Sequence, residues 1–177
     1  MLFRSGGGSS DAAFMLKLLN NRFKLGLSNE KLREYAAKLG SDCPFFVESK
    51  PCLAKGRGEI LTPLNIDLSN YRIVVVMPKN ISIGTAEAYS WIKPQVPVNS
   101  ISEIIQQPIS EWKNYLINDF EAPVIEHFPK IGAIKNNLYD AGAIYASMSG
   151  SGAAVFGIFD KGKLELTFDD CLVWQGE

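Results

Sequence analysis

The sequence predicts an α/β protein of the α+β kind, with helices set apart from a mostly antiparallel sheet in its C-terminal part. Three observations predict it. Helix-period and strand-period patterns come in separate runs rather than in strict alternation. A buried strand pattern, "YRIVVVMP" (71–78), is followed by a helical stretch and then, around a tight small-residue loop, by two more strand patterns in "AIYASMSGSGAAVFGIF". Hydrophobic residues make up 46% of the chain and charged residues 21%, which suits a folded core.

The elements follow in order. From Ser10 to about Arg22 alanines and leucines predict a helix, with Ser9 or Ser10 as its cap. Ala12, Ala13, Phe14, Met15, Leu16, Leu18 and Leu19 make it apolar on nearly every side, the signature of a helix buried between other layers. In "GLSNEKLREYAAKLG" (26–40) Ser28 is a good N-cap and Leu27 with Leu32 a hydrophobic staple. Leu32, Tyr35, Ala36 and Leu39 give one buried stripe, and Gly40 is the stop. "SDCPFFV" (41–47) reads as a tight turn into a short strand, and "CLAKGRGEILTPL" (52–64) as two strands joined around Gly56 to Gly58. The strand at 71–78 ends at Pro78, and Thr85 is expected to cap a helix through Trp91. "KPQVPVN" (93–99) is a proline-bearing connector. From Ser102 to Gly142 the pattern is helical, interrupted near Pro108, Pro123 and Pro129. "CLVWQGE" (171–177) is a candidate final strand.

Charge and composition exclude several classes of function. With 177 residues and a formal net charge of −1 there is no electrostatic reason to expect nucleic acid or an anionic membrane as partner. No apolar run approaches the ~20 residues that span a bilayer. Cys43, Cys52 and Cys171 are widely spaced, which reads as reduced thiols of a cytoplasmic protein. The single histidine, His127, makes a histidine-based metal site improbable and reads as a surface or capping residue.

Three stretches carry chemistry. "GGGSSDAA" (6–13) runs into a helix, where free backbone N–H groups and the helix dipole favour an anion and glycines allow close approach. No Lys-Ser/Thr pair follows, so it is not a Walker A loop, and a plain capped helix behind a linker explains it equally well. Asp42 in "LGSDCPFF" could take the proton of a hydroxyl that attacks phosphorus; an Asx-turn before Pro44 is the simpler local reading. "SMSGSGAAVF" offers either a tight hairpin or a loop that can approach a phosphate.

The order "GGGSSDAA", "LGSDCPFF", "GRGEILTPL", "MSGSGAAVF" closely resembles the GHMP kinase superfamily, over nearly the whole chain from Gly6 onward. The aspartate after the two serines resembles the members that act on a cytidine diphosphate derivative of methylerythritol; other members usually have a shorter form without it. The resemblance implies a ferredoxin-like C-terminal domain over 71–177, a remnant of the ATP-binding N-terminal domain over 1–70, and transfer of the ATP γ-phosphate to a hydroxyl of that small molecule in non-mevalonate isoprenoid synthesis. It implies that Gly6, Gly7, Gly8, Ser9, Ser10 and Asp11 hold the ATP phosphates and that Asp42 is the catalytic base. Thr85 falls on the substrate side with Ser149, Gly150, Ser151 and Gly152, which also brace the phosphate loop. Magnesium accompanies the ATP, with Ser10 as the one candidate contact. "MLFRS" stands where the superfamily has a Pro-x-Gly-Ala-Gly-Leu-like segment, and Ser41 stands where alanine is usual.

The chain is therefore expected to be the C-terminal part of a larger kinase, inactive alone and prone to self-association through its apolar first helix. Two further readings stay open at this point: another small-molecule GHMP kinase, and a non-catalytic module of the same fold that associates with another chain.

Overall fold

A computed structural model describes residues 6–93, 99–162 and 164–176. The chain divides into two compact units, Met1–Ile66 and Asp67–Glu177.

The first unit packs three helices beside a hairpin. Helix α1 spans Gly7–Arg22, α2 Asn29–Leu39 and α3 Cys43–Glu48; strands β1 (Cys52–Lys55) and β2 (Ile60–Pro63) pair antiparallel, Leu53 opposite Thr62. Ser28 caps α2 as expected, its Oγ accepting from Lys31 N at 3.3 Å. The core is small: Ala13, Leu32, Ala36, Cys43 and Val47, with Leu16, Leu27 and Phe46 against them. Only part of the expected α2 stripe is covered. Leu32 and Ala36 are buried, whereas Tyr35 and Leu39 are exposed. The segment expected to turn into a strand is helical instead. Pro44 occupies the first turn of α3, where its missing N–H costs nothing, and this converts "CPFFVE" to a helix.

The second unit is a four-stranded antiparallel sheet backed by helices. Strand β3 (Tyr71–Pro78) is followed by α4 (Thr85–Trp91), α5 (Ile101–Ile104), α6 (Ile109–Tyr115), α7 (Glu121–His127) and α8 (Pro129–Asp140), then by β4 (Tyr145–Met148), β5 (Val155–Asp160) and β6 (Cys171–Gln175). The strand order β4-β5-β3-β6 places β5 between two strands that run parallel to each other, the split arrangement of a ferredoxin-like sheet. Central β3 is paired on both sides, and along it buried Val74, Val76 and Pro78 alternate with half-buried residues of the other face. Met148, Val155 and Val76 stand in one row across the sheet and face the helices, where Ile131, Ile134 and Leu138 of α8, Val124 of α7 and Ile83 complete the core. At Gly157 a Cβ would sit 2.9 Å from the Phe159 ring of the same strand and at ordinary contact, 3.4 Å, from Leu138, so the glycine makes room for that ring under α8. The next row, Ser147, Phe156, Val75 and Trp174, looks the other way. There Trp112 of α6 stacks edge-on against Tyr145 at 5.8 Å, and Trp174 at the far edge is 60% exposed.

The helical run is interrupted near its prolines, as expected: Pro108 precedes α6, Pro123 lies in the first turn of α7, and Pro129 starts α8 after the non-helical Phe128. Gly142, at φ 96°, closes α8 as expected. The proline-bearing connector around 94–98 and the "MLFRS" segment lie outside the described residues.

Candidate functional site

In the first unit the helix start is one turn earlier than the sequence suggests. Gly6 is the N-cap, at φ 78° and ψ 12°, and no side chain caps the helix. Ser9 and Ser10 lie inside the first turn and do not cap it; the first helical bond is Ser10 N donating to Gly6 O at 2.8 Å. The N–H groups of Gly7, Gly8 and Ser9 precede that bond and have no carbonyl within the helix to meet. Gly8 is exposed, with nothing within 4 Å of where a Cβ would be, and no acidic residue lies in the first turn to neutralise the dipole. Gly6 is under a different constraint. A Cβ there would come within 2.9 Å of the Phe46 ring of α3, so the left-handed turn and the close packing both demand glycine. Asp11 is exposed one turn into α1.

Asp42 stands immediately before α3 with helical backbone angles (φ −89°, ψ −13°), and its carboxylate makes no capping bond to that helix. It is exposed and lies against the turn of the hairpin, 2.8 Å from the position a Gly58 Cβ would take. A free carboxylate on an exposed helix start is chemically able to accept a proton. A cleft of about 570 Å3 on another part of this unit, lined by Arg33, Phe45, Glu48, Cys52, Glu59 and Leu61, includes none of the residues singled out from the sequence. Its charged groups pair among themselves: Arg33 with Glu48, Arg33 with Glu30 at 3.5 Å, and Lys50 with Glu48 at 3.7 Å.

In the second unit Thr85 is the first residue of α4 rather than its cap. Gly84 holds the cap position, its N–H donating to Glu87 Oε2 at 3.4 Å. Ser149, Gly150, Ser151 and Gly152 form the loop between β4 and β5. Gly150 and Gly152 have φ of 55° and 90°. A Cβ on Gly152 would lie 2.9 Å from Met148 Sδ and 3.0 Å from Ile83 Cδ1, so this loop rests on the segment that leads to Thr85.

Two residues that sequence reasoning did not single out hold this loop and the strand end that enters it. Asn118 Nδ2 donates to Met148 O and to Gly150 O, both at 2.8 Å, and Glu121 Oε1 accepts from Met148 N at 2.8 Å. Asn118 also accepts from Phe120 N at 3.0 Å, a local bond, and a local turn is all that "NDFEAP" signals. Burial of the Tyr145 ring pushes its phenol up to about 12. Among the described residues no group of three or more His, Cys, Asp and Glu is arranged to hold a metal ion, and no helix is long and apolar enough to cross a membrane.

The class of protein follows from this fold and its motifs. Residues 100–169 match the family model described as GHMP kinases C terminal, so this part of the chain is similar to the C-terminal domain of the GHMP kinases. Its similarity is specific. A 4-diphosphocytidyl-2-C-methyl-D-erythritol kinase of Bacteroides fragilis is 54% identical over 174 residues, which cover 97% of this chain and 63% of that protein. One of Parabacteroides distasonis is 45% identical over 175 residues, covering 97% and 64%. A crystal structure of 4-(cytidine 5'-diphospho)-2C-methyl-D-erythritol kinase superposes with a TM-score of 0.67 at 31% identity, over 86% of this chain and 56% of that one. The chain thus spans somewhat under two thirds of the length of the relatives it matches.

Proposed function

We propose that this chain is part of an ATP-dependent kinase that phosphorylates a hydroxyl of the cytidine diphosphate derivative of methylerythritol, in the non-mevalonate route to isoprenoids. The observation that carries the reading is the 54% identity to a kinase so named over 97% of the chain. In this reading residues 1–70 contribute to the ATP-binding domain and residues 71–177 are the C-terminal domain. The division of the chain into units at Ile66 and Asp67 supports that boundary.

Roles follow from the chemistry of each place. ATP supplies the transferable γ-phosphoryl group. The N–H groups of Gly7, Gly8 and Ser9, which precede the first helical bond, suit phosphate oxygens, and open space at Gly8 leaves room for them. Asp42 takes the proton from the substrate hydroxyl. Thr85 and the Ser149–Gly152 loop orient the substrate. Asp11 and the Ser10 hydroxyl flank the phosphates. With no acidic cluster among the described residues, magnesium would draw its ligands from the phosphates, water and Ser10. The protein acts in the cytoplasm on a small molecule, without nucleic acid or membrane.

These 177 residues on their own are proposed to lack turnover and to bind nucleotide weakly, since phosphoryl transfer needs groups converging from several directions. The test is a coupled assay with ATP and the cytidine diphosphate substrate, run on this chain and on a version extended to the length of its relatives. The extended form should turn over. Its Asp42→Asn variant should retain nucleotide binding and lose ~10²–10⁴-fold in kcat. Near-normal kcat in that variant would assign Asp42 a structural role. Robust turnover by the 177-residue chain would refute the inactivity.

A further inference from the structure

Among the described residues strand β4 is an edge strand, with β5 on one side and no strand on the other. An open edge normally presents its backbone groups to water or to another chain. Here side chains of the preceding segment occupy it. Tyr139 Oη donates to Ala146 O at 3.1 Å. Glu121 Oε1 receives Met148 N, and Asn118 Nδ2 donates to both Met148 O and Gly150 O. The bonds crowd toward the C-terminal end of the strand, where the Ser149–Gly152 loop begins.

The geometry fixes each group. Asn118 Oδ1 faces the Phe120 N–H, so the amide has one orientation, with its NH2 toward the two carbonyls. Glu121 is 8% exposed, and its second oxygen, Oε2, meets Lys135 Nζ of α8 at 2.5 Å. A buried carboxylate is therefore paired and aimed at a single backbone N–H. The loop it reaches is rich in glycine and serine, which alone would sample many conformations. Inside the loop Ser149 N donates to Ala154 O at 2.8 Å and Gly152 N to Ser149 O at 3.0 Å. Asn118 thus fastens the loop at Gly150, and Asn118 and Glu121 together clamp Met148, the strand residue from which the loop departs, across 27 to 32 residues of sequence.

We propose that Asn118 and Glu121 are positioning residues for substrate: they hold Ser149–Gly152 in the single conformation that presents it to ligand, without touching the ligand themselves. This rests on the reading of the loop as part of the kinase site. A bond to the loop carbonyls needs a donor, so Asn118→Asp removes it at constant shape. Glu121→Gln keeps an acceptor for Met148 N but gives up the ion pair, whereas Glu121→Ala gives up both.

The test has two arms. In the 177-residue chain, amide hydrogen exchange by NMR is followed at Ser149 and Gly152, with Val155–Ile158 as the internal reference. Asn118→Asp should speed exchange at the loop at least tenfold and leave the reference amides within twofold. Glu121→Gln should lie between wild type and Glu121→Ala. Unchanged loop exchange, or an equal rise in loop and strand, would overturn the proposal. In the form extended to the length of the relatives, Asn118→Asp should raise KM for the hydroxyl substrate at least tenfold and lower kcat less. An unchanged KM would also overturn it. If the extended wild type turns over no substrate while the loop still loosens in Asn118→Asp, it is the kinase reading that fails and not the fastening of the loop.

Discussion

Gly58 and Asp42 press together in the first unit: a Cβ at Gly58 would lie 2.8 Å from Asp42 Oδ1 and 3.3 Å from Ser41 O. Gly58 also has φ of 118°, a conformation that L side chains rarely adopt. The hairpin turn therefore limits where the Asp42 carboxylate can sit. Gly58→Ala should cost ~1–3 kcal/mol in urea unfolding. Gly56, at φ 70°, is the control, because a Cβ there would meet only the flexible end of Glu59. In the extended enzyme, Gly58→Ala should lower kcat well beyond any effect of Gly56→Ala. Equal effects of the two would show that the contact with Asp42 carries no consequence.

Helix α1 exposes much of the apolar surface that the sequence marks for burial. Ala13 is fully buried, but Phe14 is 54%, Met15 53% and Leu18 59% exposed. At ~25 cal/mol per Å2 of apolar area, covering such side chains is worth several kcal/mol in total. The 177-residue chain should accordingly self-associate in sedimentation velocity at micromolar concentration. The double variant Phe14→Glu, Leu18→Glu should run as a monomer with its far-ultraviolet spectrum intact. A sharp monomer peak for the wild type would refute this.

Tyr145 is 4% exposed, and burial raises its phenol to about 12 from an ordinary value near 10. Its hydroxyl donates to Leu116 O at 2.8 Å, a bond available only to the neutral form. With the folded value above the unfolded one, the contribution to stability is fully present below about pH 10. It is lost progressively as pH rises through about 12. Ultraviolet titration should show a late-ionising phenol at about pH 12 that disappears in Tyr145→Phe. Tyr145→Phe should flatten the fall in stability over that window.

Burial also raises the thiols of Cys52 and Cys171, and Cys43 is almost fully covered. Labelling with a disulfide reagent at pH 8 should be slower at Cys52 and Cys171 than at a free thiol. Cys43 should react only under denaturant. Rapid reaction of Cys43 in the native chain would mean that the core between α1, α2 and α3 opens easily.

Much of the fold around the candidate site was legible because its signals are local. A glycine run ahead of an alanine-leucine stretch signals a helix start, whatever surrounds it, and Gly142 signals a helix stop in the same way. Where two local rules compete, the reading went astray. Ser9 and Ser10 are good caps, yet the left-handed turn at Gly6, pressed against Phe46, starts the helix earlier. "CPFFVE" reads as a strand by its aromatic residues, but Pro44 at a helix start and the burial of Cys43 and Val47 against α1 and α2 outweigh that preference.

The amino-acid sequence by itself determined the class of the fold and the motif order that resembles the GHMP kinases. Both rest on periodicity, glycines and prolines, which act within a few residues. Tertiary structure alone decided how β4 and its loop are fastened. Asn118 and Glu121 sit 27 to 32 residues from the backbone groups they hold. In sequence they are an ordinary turn and an ordinary helix start. Their long-range bonds exist only because α7 and α8 pack on the sheet and bring one amide and one carboxylate to an edge strand whose backbone would otherwise lack partners.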